Sequence, residues 1–361
     1  MTDLPFRPLP ITLEEITPAW LTRALRGYAA QIEVRGCEVT DIKRNTCTKI
    51  WVRLDLNEAG TRAGVPPTVV VKGGFEPHSR KMHYMHESEV RAYRDLYPHL
   101  PLRIPTCYFA DYDAERLQGI IILEDLRARG VHFCSALEPQ SHAMVARRLS
   151  ALARYHAASW NSPAFLPGGQ WDWIHDPTNP PSKHFEQYLQ PEVWHSYVRS
   201  ARGAAVSVQF HDLAWMRHAL DRIAVYSSRL PPCVHHGDTH LGNLYVERDG
   251  TPGFFDSLAG RAPAMLEVTY HMVCALDSGD RRRWEGALVQ HYLDTLTQSG
   301  VEAPSFDDAM HQYGVFLAFA YCIFIINEPI FQTEAVNTAY TARISAAMID
   351  HRTRDLINAI R

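Results

Sequence analysis

The feature that most limits how this chain can fold is an interruption. From Pro139 onward the apolar residues fall almost everywhere at helical spacing, in the stretches 141–160, 213–228, 280–299, 306–326 and 333–360. One segment between them breaks the pattern. It reads VHHGDTHLGNLYVERDGTPGFFDSL, from Val234 to Leu258. Within it, 244–246 and 253–255 have the composition of short strands joined by a turn at Asp249-Gly250. A hairpin of that length returns the residues flanking it, Asn243 and Asp256, to the same end. Asp238 lies just upstream in a His-Gly-Asp turn, in the spacing D-x-x-x-x-N with Asn243. A helical region has therefore been built around one small β-island that gathers two carboxylates and an amide.

The N-terminal third is organised differently. Thr12 and Glu15 form a capping box and Pro18 permits a helix to restart, so 12–28 reads as a helical leader. Ile50, Val52, Leu54 and Leu56 alternate with polar residues, as a half-buried strand requires. TVVVK, 68–72, is a β-branched run bounded by Pro66-Pro67 and Gly73-Gly74. Residues 79–96 read as a helix whose Met82, Met85, Glu89, Tyr93 and Leu96 share a face. Residues 108–112 and 119–124 read as a hairpin. The expectation is an α+β protein: antiparallel sheet with one inserted helix in 1–125, and a mainly helical region in 126–361.

Composition mostly excludes. The net charge of −4 comes with no basic block, so no nucleic-acid footprint is present. Seven cysteines, none in a CxxC pair, read as reduced thiols of a cytoplasmic protein. MTDLPFRPLP has no basic region followed by an apolar run and does not read as a signal peptide. The longest apolar stretch, 315–326, is closed by Asn327, Glu328 and Pro329 and reads as a core helix, so no membrane is expected as a partner. GxSxG, GxxxxGK[ST] and HExxH are absent, against a serine hydrolase, a P-loop enzyme and a zincin. His83, His86 and Glu89 share helical spacing but have no third ligand type nearby, so zinc is not expected there. Residues 163–181, rich in Pro, Gly, Trp and Asp, read as an ordered loop. The acids of the last third, Glu267, Asp277, Asp280, Glu285, Asp294, Glu302, Asp307, Asp308, Glu328 and Glu334, read mostly as helix-surface charges.

Phosphoryl transfer is a chemistry that needs groups of these types. One carboxylate accepts the proton of an attacking hydroxyl, while a second carboxylate and an amide oxygen hold Mg²⁺, a hard cation that bridges phosphates. The loop HGDTHLGN followed by F-F-D resembles that of the aminoglycoside phosphotransferase and choline kinase superfamily. LEDL at 123–126, EVRAYRDL at 89–96 and an apolar C-terminal helix ending in Asn-Glu-Pro resemble its ecdysteroid-kinase-like branch. The resemblance implies a protein-kinase-like two-lobed fold with ATP and Mg²⁺ in the cleft between lobes. It implies Asp238 as catalytic base and Asn243 and Asp256 as metal ligands. It also implies Lys72 on the α- and β-phosphates, Glu89 paired with that lysine, and Glu124, Asp125 and Leu126 as the hinge whose backbone meets adenine. His236 and His240 would shape the loop.

Two departures stand out. The segment expected to cover the phosphates, RNTCTK at 44–49, has no glycine, so Thr46 and Thr48 would donate to phosphate in place of a glycine loop. The residue after Asp256 is Ser257, where glycine or tryptophan is usual. The expected function is ATP- and Mg-dependent transfer of the γ-phosphate to a hydroxyl of a small molecule, an aminoglycoside-, choline- or steroid-like alcohol. The alternative, drawn from the glycine-free loop, is a catalytically silent protein that binds nucleotide or metabolite. Of the tryptophans at 160, 171, 173, 194, 215 and 284, most would be core or loop anchors.

Overall fold

A computed structural model describes residues 6–178 and 183–361, so the end of the expected loop 163–181 lies outside the described residues. The chain divides into two compact units, Met1–His99 with Arg103–Val131, and Leu100–Leu102 with His132–Arg361.

The first unit is built on a five-stranded antiparallel sheet in the order β1-β2-β3-β5-β4, with β1 (Val34–Arg44), β2 (Thr48–Leu56), β3 (Thr68–Gly73), β4 (Cys107–Asp113) and β5 (Gln118–Glu124). The β-branched run of β3 is central and buried along its length. The helical leader contains α1 (Pro18–Leu25), which starts on the Thr17 side chain accepting from Trp20 N–H and packs Trp20, Leu21 and Leu25 into the core shared with the sheet. Short helices α2 (Glu58–Arg62) and α4 (Leu126–Arg129) flank the strands. The helix expected over 79–96 forms as three consecutive pieces: a 3₁₀ turn at Ser79–Met82, α3 (His83–Arg91) and a π turn at Ala92–Leu96. Gly119 explains how α3 sits so low on the sheet, because a Cβ there would lie 2.9 Å from His86 Cβ.

The second unit is helical around two small β elements. A ribbon pairs β7 (Pro232–His235) with β10 (Gly260–Pro263), and a second sheet orders β6 (His132–Phe133), β8 (Leu244–Val246) and β9 (Pro252–Phe254) as β6-β8-β9. The helices are α5 (His142–Ala157), α6 (Lys183–Tyr188), α7 (Pro191–Val198), α8 (Ala201–Ala204), α9 (Leu213–Ser227), α10 (Ala264–Ala275), α11 (Ser278–Gln298), α12 (Phe306–Ile325), α13 (Glu334–Asp350) and α14 (Thr353–Ala359). The helix expected over 333–360 is two, because Arg352 takes φ 50°, a left-handed conformation that breaks the hydrogen-bond ladder. Sequence periodicity missed α10: all its residues are buried, so it has no polar face to set a period. By length and hydropathy α12 could cross a membrane, but it is buried from Tyr313 through Cys322 in the core of this unit.

One buried cation ties down the end of α12. Arg202 of α8 is 1% exposed and donates to the carbonyls of Phe324, Ile325 and Asn327, groups an α-helix leaves unsatisfied at its C-terminus. Its other face meets the Glu334 carboxylate at the start of α13. The segment between α12 and α13 is held at both ends by this one side chain. Arg202→Met should lower unfolding free energy by about 3 kcal/mol, read from the urea midpoint, since it leaves buried carbonyls and a carboxylate without their donor. An unchanged midpoint would show that water satisfies those groups.

The core also buries histidines. Burial pushes His86, His235 and His271 down to about 4 from an ordinary value near 6.5. Between those values the unfolded chain binds protons that the folded chain does not, so stability falls as pH falls, by about 1.4 kcal/mol per pH unit for each group. Glu267, held down at about 2, contributes stability above its ordinary 4.5 that is lost as pH drops further. The urea midpoint should therefore be clearly lower at about pH 5 than at about pH 7.5. Equal midpoints would mean these rings are charged in the folded protein.

Candidate active site

The loop from His235 to Asn243 connects β7 to β8 and is shaped by its backbone. Gly237 takes φ 86°, and a Cβ there would lie 1.8 Å from Leu258 O, so only glycine fits. The amide groups around it would be buried without partners but for Glu267 of α10. The Glu267 carboxylate accepts from His236 N at 3.1 Å, from Gly237 N at 2.8 Å and faces His156 Nε2 at 3.0 Å. His156 is in turn braced through Nδ1 by the Tyr292 hydroxyl at 2.8 Å. Burial works to raise the Glu267 pKa, and the histidines around it outweigh burial and hold it at about 2. Glu267 is thus a correction to the sequence reading, which placed it among surface charges: it is 3% exposed.

Asp238 emerges from this loop with its side chain a third exposed. Its Oδ1 accepts from the Tyr270 hydroxyl at 2.7 Å and its Oδ2 from Asn243 Nδ2 at 2.8 Å. Burial acts to raise its pKa, but His240 and the Tyr270 bond prevail and hold the carboxyl below its usual range. His240 Nδ1 accepts from Gly242 N–H at 3.0 Å, which puts the ring proton on Nε2. That nitrogen lies 2.8 Å from the Gln332 amide and 3.4 Å from Asp238 Oδ2. Reversing the Gln332 amide lets its oxygen accept that proton and removes a buried acceptor with no partner. Burial pushes the pKa of His236 down, so the ring stays neutral within the loop.

The β8–β9 hairpin delivers the remaining groups. Leu244 pairs with Phe254, so Asn243 and Asp256 flank the same end. Asn243 Nδ2 donates to Asp238 O at 3.1 Å and lies 3.4 Å from Asp256 O, besides its bond to the Asp238 carboxylate. With the NH₂ directed inward, the amide oxygen is left for another partner. Asp256 has φ 56°, a strained conformation that aspartate tolerates better than most residues. The departure at Ser257 has a local use: its hydroxyl donates to His236 O at 2.9 Å and latches the two loops together.

The first unit holds the other sequence-singled residues. Lys72 of β3 and Glu89 of α3 form a buried ion pair at 2.5 Å, with side chains 6% and 9% exposed. Glu124 accepts from Thr106 N at 2.9 Å and Arg129, while Asp125 caps α4 and accepts from Trp51 Nε1 at 3.2 Å. Leu126 is buried. The 44–49 turn is braced from outside: Glu76 accepts from Thr48 Oγ1 at 3.2 Å and pairs with Arg44 at 2.9 Å. Thr48 is fully buried and would have to release Glu76 to reach a ligand, whereas Thr46 is only half-buried. His83 meets Tyr112 and Glu89 meets Lys72, so no metal cluster forms on α3 among the described residues. In the second unit His156, Cys233 and His235 do approach one another, but both nitrogens of His156 are engaged by Tyr292 and Glu267.

Sequence reasoning missed Tyr270, Gln332 and the loop-anchoring role of Glu267. The available signal for Glu267 and Tyr270 was their setting: polar residues within AMLEVTYHMVCA, an otherwise apolar run, are more often buried for a purpose than exposed. Gln332 left no such trace.

Comparisons with known proteins bear on the fold and the family. The Plasmodium vivax ethanolamine kinase has a matching structure at 9% identity, covering 98% of this chain and 99% of that one with a TM-score of 0.52. Choline kinase LicA from Streptococcus pneumoniae matches at 11% identity over 91% and 98%, TM-score 0.49. The GDP complex of wild-type aminoglycoside 2'-phosphotransferase-IIIa matches at 10% over 92% and 99%, TM-score 0.48. No curated protein sequence matches. The fold is thus the kinase-like one, antiparallel sheet first and helices after, as the sequence implied. Residues 75–302 match the phosphotransferase enzyme family, a span that takes in Glu89, Asp238, Asn243, Asp256 and Glu267, and the chain belongs to that family.

Proposed function

We propose that this chain transfers the γ-phosphoryl group of ATP to a hydroxyl of a small molecule. The observation that carries the reading is the convergence of the Asp238 carboxylate, the Asn243 amide and Asp256 on one side of a loop whose backbone is clamped by Glu267. The donor set suits Mg²⁺: an amide oxygen and a carboxylate are hard ligands, and the Asn243 amide is oriented by three inward contacts of its NH₂. Mg²⁺ held by Asn243 and Asp256 would bridge and partly neutralise the phosphates.

The protein's own groups do the rest. Asp238 accepts the proton of the acceptor hydroxyl. Its pKa is held down by neighbours that donate to it, so it is ionised at neutral pH. Tyr270 and Asn243 each hold one carboxylate oxygen and fix its direction. Lys72, oriented by Glu89, serves the α- and β-phosphates as a buried point charge. Thr46 serves the phosphates in place of a glycine loop, and Thr48 joins it when Glu76 lets go. The backbone of Glu124 to Leu126 meets adenine. The LEDL, EVRAYRDL and Asn-Glu-Pro segments support placement in the ecdysteroid-kinase-like branch. The side chains that bond or face the Asp238 carboxylate, Tyr270, Asn243 and His240, are uncharged or imidazole, and Tyr270 stacks on Phe324 at 5.3 Å. That surrounding favours an amphipathic, steroid-like alcohol over a polycationic aminoglycoside.

The test is ADP release, with ³¹P NMR of the product, from Mg-ATP and a panel of aminoglycosides, macrolides, choline, sterols and sugars. Acceptor-stimulated ADP release should fall by about 100- to 10,000-fold in Asp238→Asn while Mg-ATP binding persists. Turnover retained in that variant would remove Asp238 as base. Tyr270→Phe removes a donor to the carboxylate, so the acid limb of the rate profile should move to higher pH. A limb that stays in place would leave Tyr270 as packing alone. Glu267→Gln places an amide NH₂ against the loop's N–H groups. It should cost about 2–4 kcal/mol of stability, together with most of the turnover, by leaving buried amide donors unpaired. Wild-type turnover in Glu267→Gln would show that the loop keeps its shape without the carboxylate.

A further inference from the structure

The second unit holds a half-open cavity of 340 Å³ that the phosphotransfer reading does not use. Its lining includes Trp160, Tyr226 and Tyr292 together with Pro231, Pro263 and Met265. It sits at the opposite end of the β7–β10 ribbon from the Asp238 loop. Pro232 pairs with Pro263 at the cavity end, and His235 pairs with Gly260 at the loop end. None of the groups bonded to Asp238 lines it.

Three kinds of group meet there. Trp160 and Tyr226, both half-buried, offer aromatic surface, and Tyr292 lies fully buried in the lining behind them. Two carboxylates, Glu302 and Asp308, stand exposed at the rim. Gln312 of α12 lines the cavity, is 7% exposed and has no hydrogen bond among the described residues. Its amide atoms are not sealed in the core and open to the cavity, where they are free to bond a guest. The nearest ring outside the wall is His311, edge-on to Tyr226 at 5.7 Å.

We propose that this cavity is a second small-molecule site, for an organic cation with an apolar body and one hydrogen-bonding group. Trp160 and Tyr226 cover the apolar body and meet the charge, with Tyr292 as the floor they rest on. Glu302 and Asp308 neutralise the charge at the mouth, and Gln312 pairs with the polar group within. The volume admits a fragment of about ten to fifteen heavy atoms, at the small end of ligand pockets. Occupancy is also felt by the loop, because Tyr292 donates to or accepts from His156 at 2.8 Å, and His156 meets the Glu267 carboxylate that holds His236 and Gly237.

Tyramine is the probe and tyrosol, with a hydroxyl in place of the ammonium, its uncharged control. Titration calorimetry without nucleotide should show saturable tyramine binding below about 1 mM, with tyrosol about tenfold weaker. Gln312→Leu and the pair Glu302→Gln, Asp308→Asn should each weaken tyramine by about tenfold, whereas Asp238→Asn should leave it unchanged. Thermal unfolding of each variant checks that the fold is intact, and Trp160→Phe provides a second, milder change to the wall. Amide signals of His236 and Gly237 should shift on tyramine addition. Absence of saturable binding, or binding lost in Asp238→Asn and untouched by the cavity variants, overturns the proposal. Since no turnover is read, failure here leaves the phosphotransfer reading standing, and failure of that reading leaves this one standing.

Discussion

Everything in the second unit's loop depends on one buried carboxylate. A tight turn at Gly237 points backbone N–H groups into the protein, where no strand or helix partner can reach them. Buried amide donors must be satisfied, and a carboxylate does this about twice as well as a neutral acceptor. Glu267 supplies two acceptors to His236 and Gly237 and keeps its own charge tolerable through His156. Placing that acid on α10, a helix with no exposed residue, fixes it more firmly than any surface position would. The loop in turn fixes Asp238, and Asn243 reads the position of Asp238 twice, through its backbone oxygen and its carboxylate.

The first unit solves a related problem with charge of both signs. Lys72 follows three buried valines on the central strand β3 and is itself buried, where an isolated ammonium would be strongly disfavoured. Glu89 answers it from α3 at 2.5 Å. Such pairs are poor sources of stability, since the desolvation of both ions offsets much of their attraction. Their persistence is better understood as fixing direction. The helix that carries Glu89 is tightened into a 3₁₀ turn at one end and loosened into a π turn at the other. Gly119 gives it room to lie against β5. Local irregularity here is what brings one carboxylate to one ammonium.

The fold was largely legible because its two halves use different periods. Alternation in 50–56 and the β-branched run 68–72 appear as β2 and β3, and the helices 141–160, 213–228, 280–299 and 306–326 appear within a few residues of expectation. What stayed hidden had no period to read. α10 is apolar on every side, β10 is a four-residue strand containing Gly and Pro, and the break at Arg352 is a single backbone torsion. The candidate site was legible where the chain itself is local: Asp238, Asn243 and Asp256 lie within one loop and hairpin. Glu267 and Tyr270 reach that loop from about thirty residues away, so only tertiary packing reveals them. Periodicity places Glu89 on the apolar face of its helix, and the structure pairs it with Lys72.

The same logic accounts for the character of the polar core around α10. His156, His235 and His271 are all buried, and burial is the main force pushing His235 and His271 down to about 4. Neutral imidazoles can both donate and accept, so they relay hydrogen bonds without adding charge to a region that already holds the Glu267 carboxylate. A lysine or arginine in place of His156 would pair with Glu267 more strongly, but it would also bring a second full charge close to Asp238. The carboxylate of Asp238 is held instead by Tyr270 and Asn243, with His240 close by. The clamped amides of His236 and Gly237 and the proposed base Asp238 can therefore lie side by side on one loop while each has its own hydrogen-bond partners, Glu267 for the clamp and Tyr270 and Asn243 for the base.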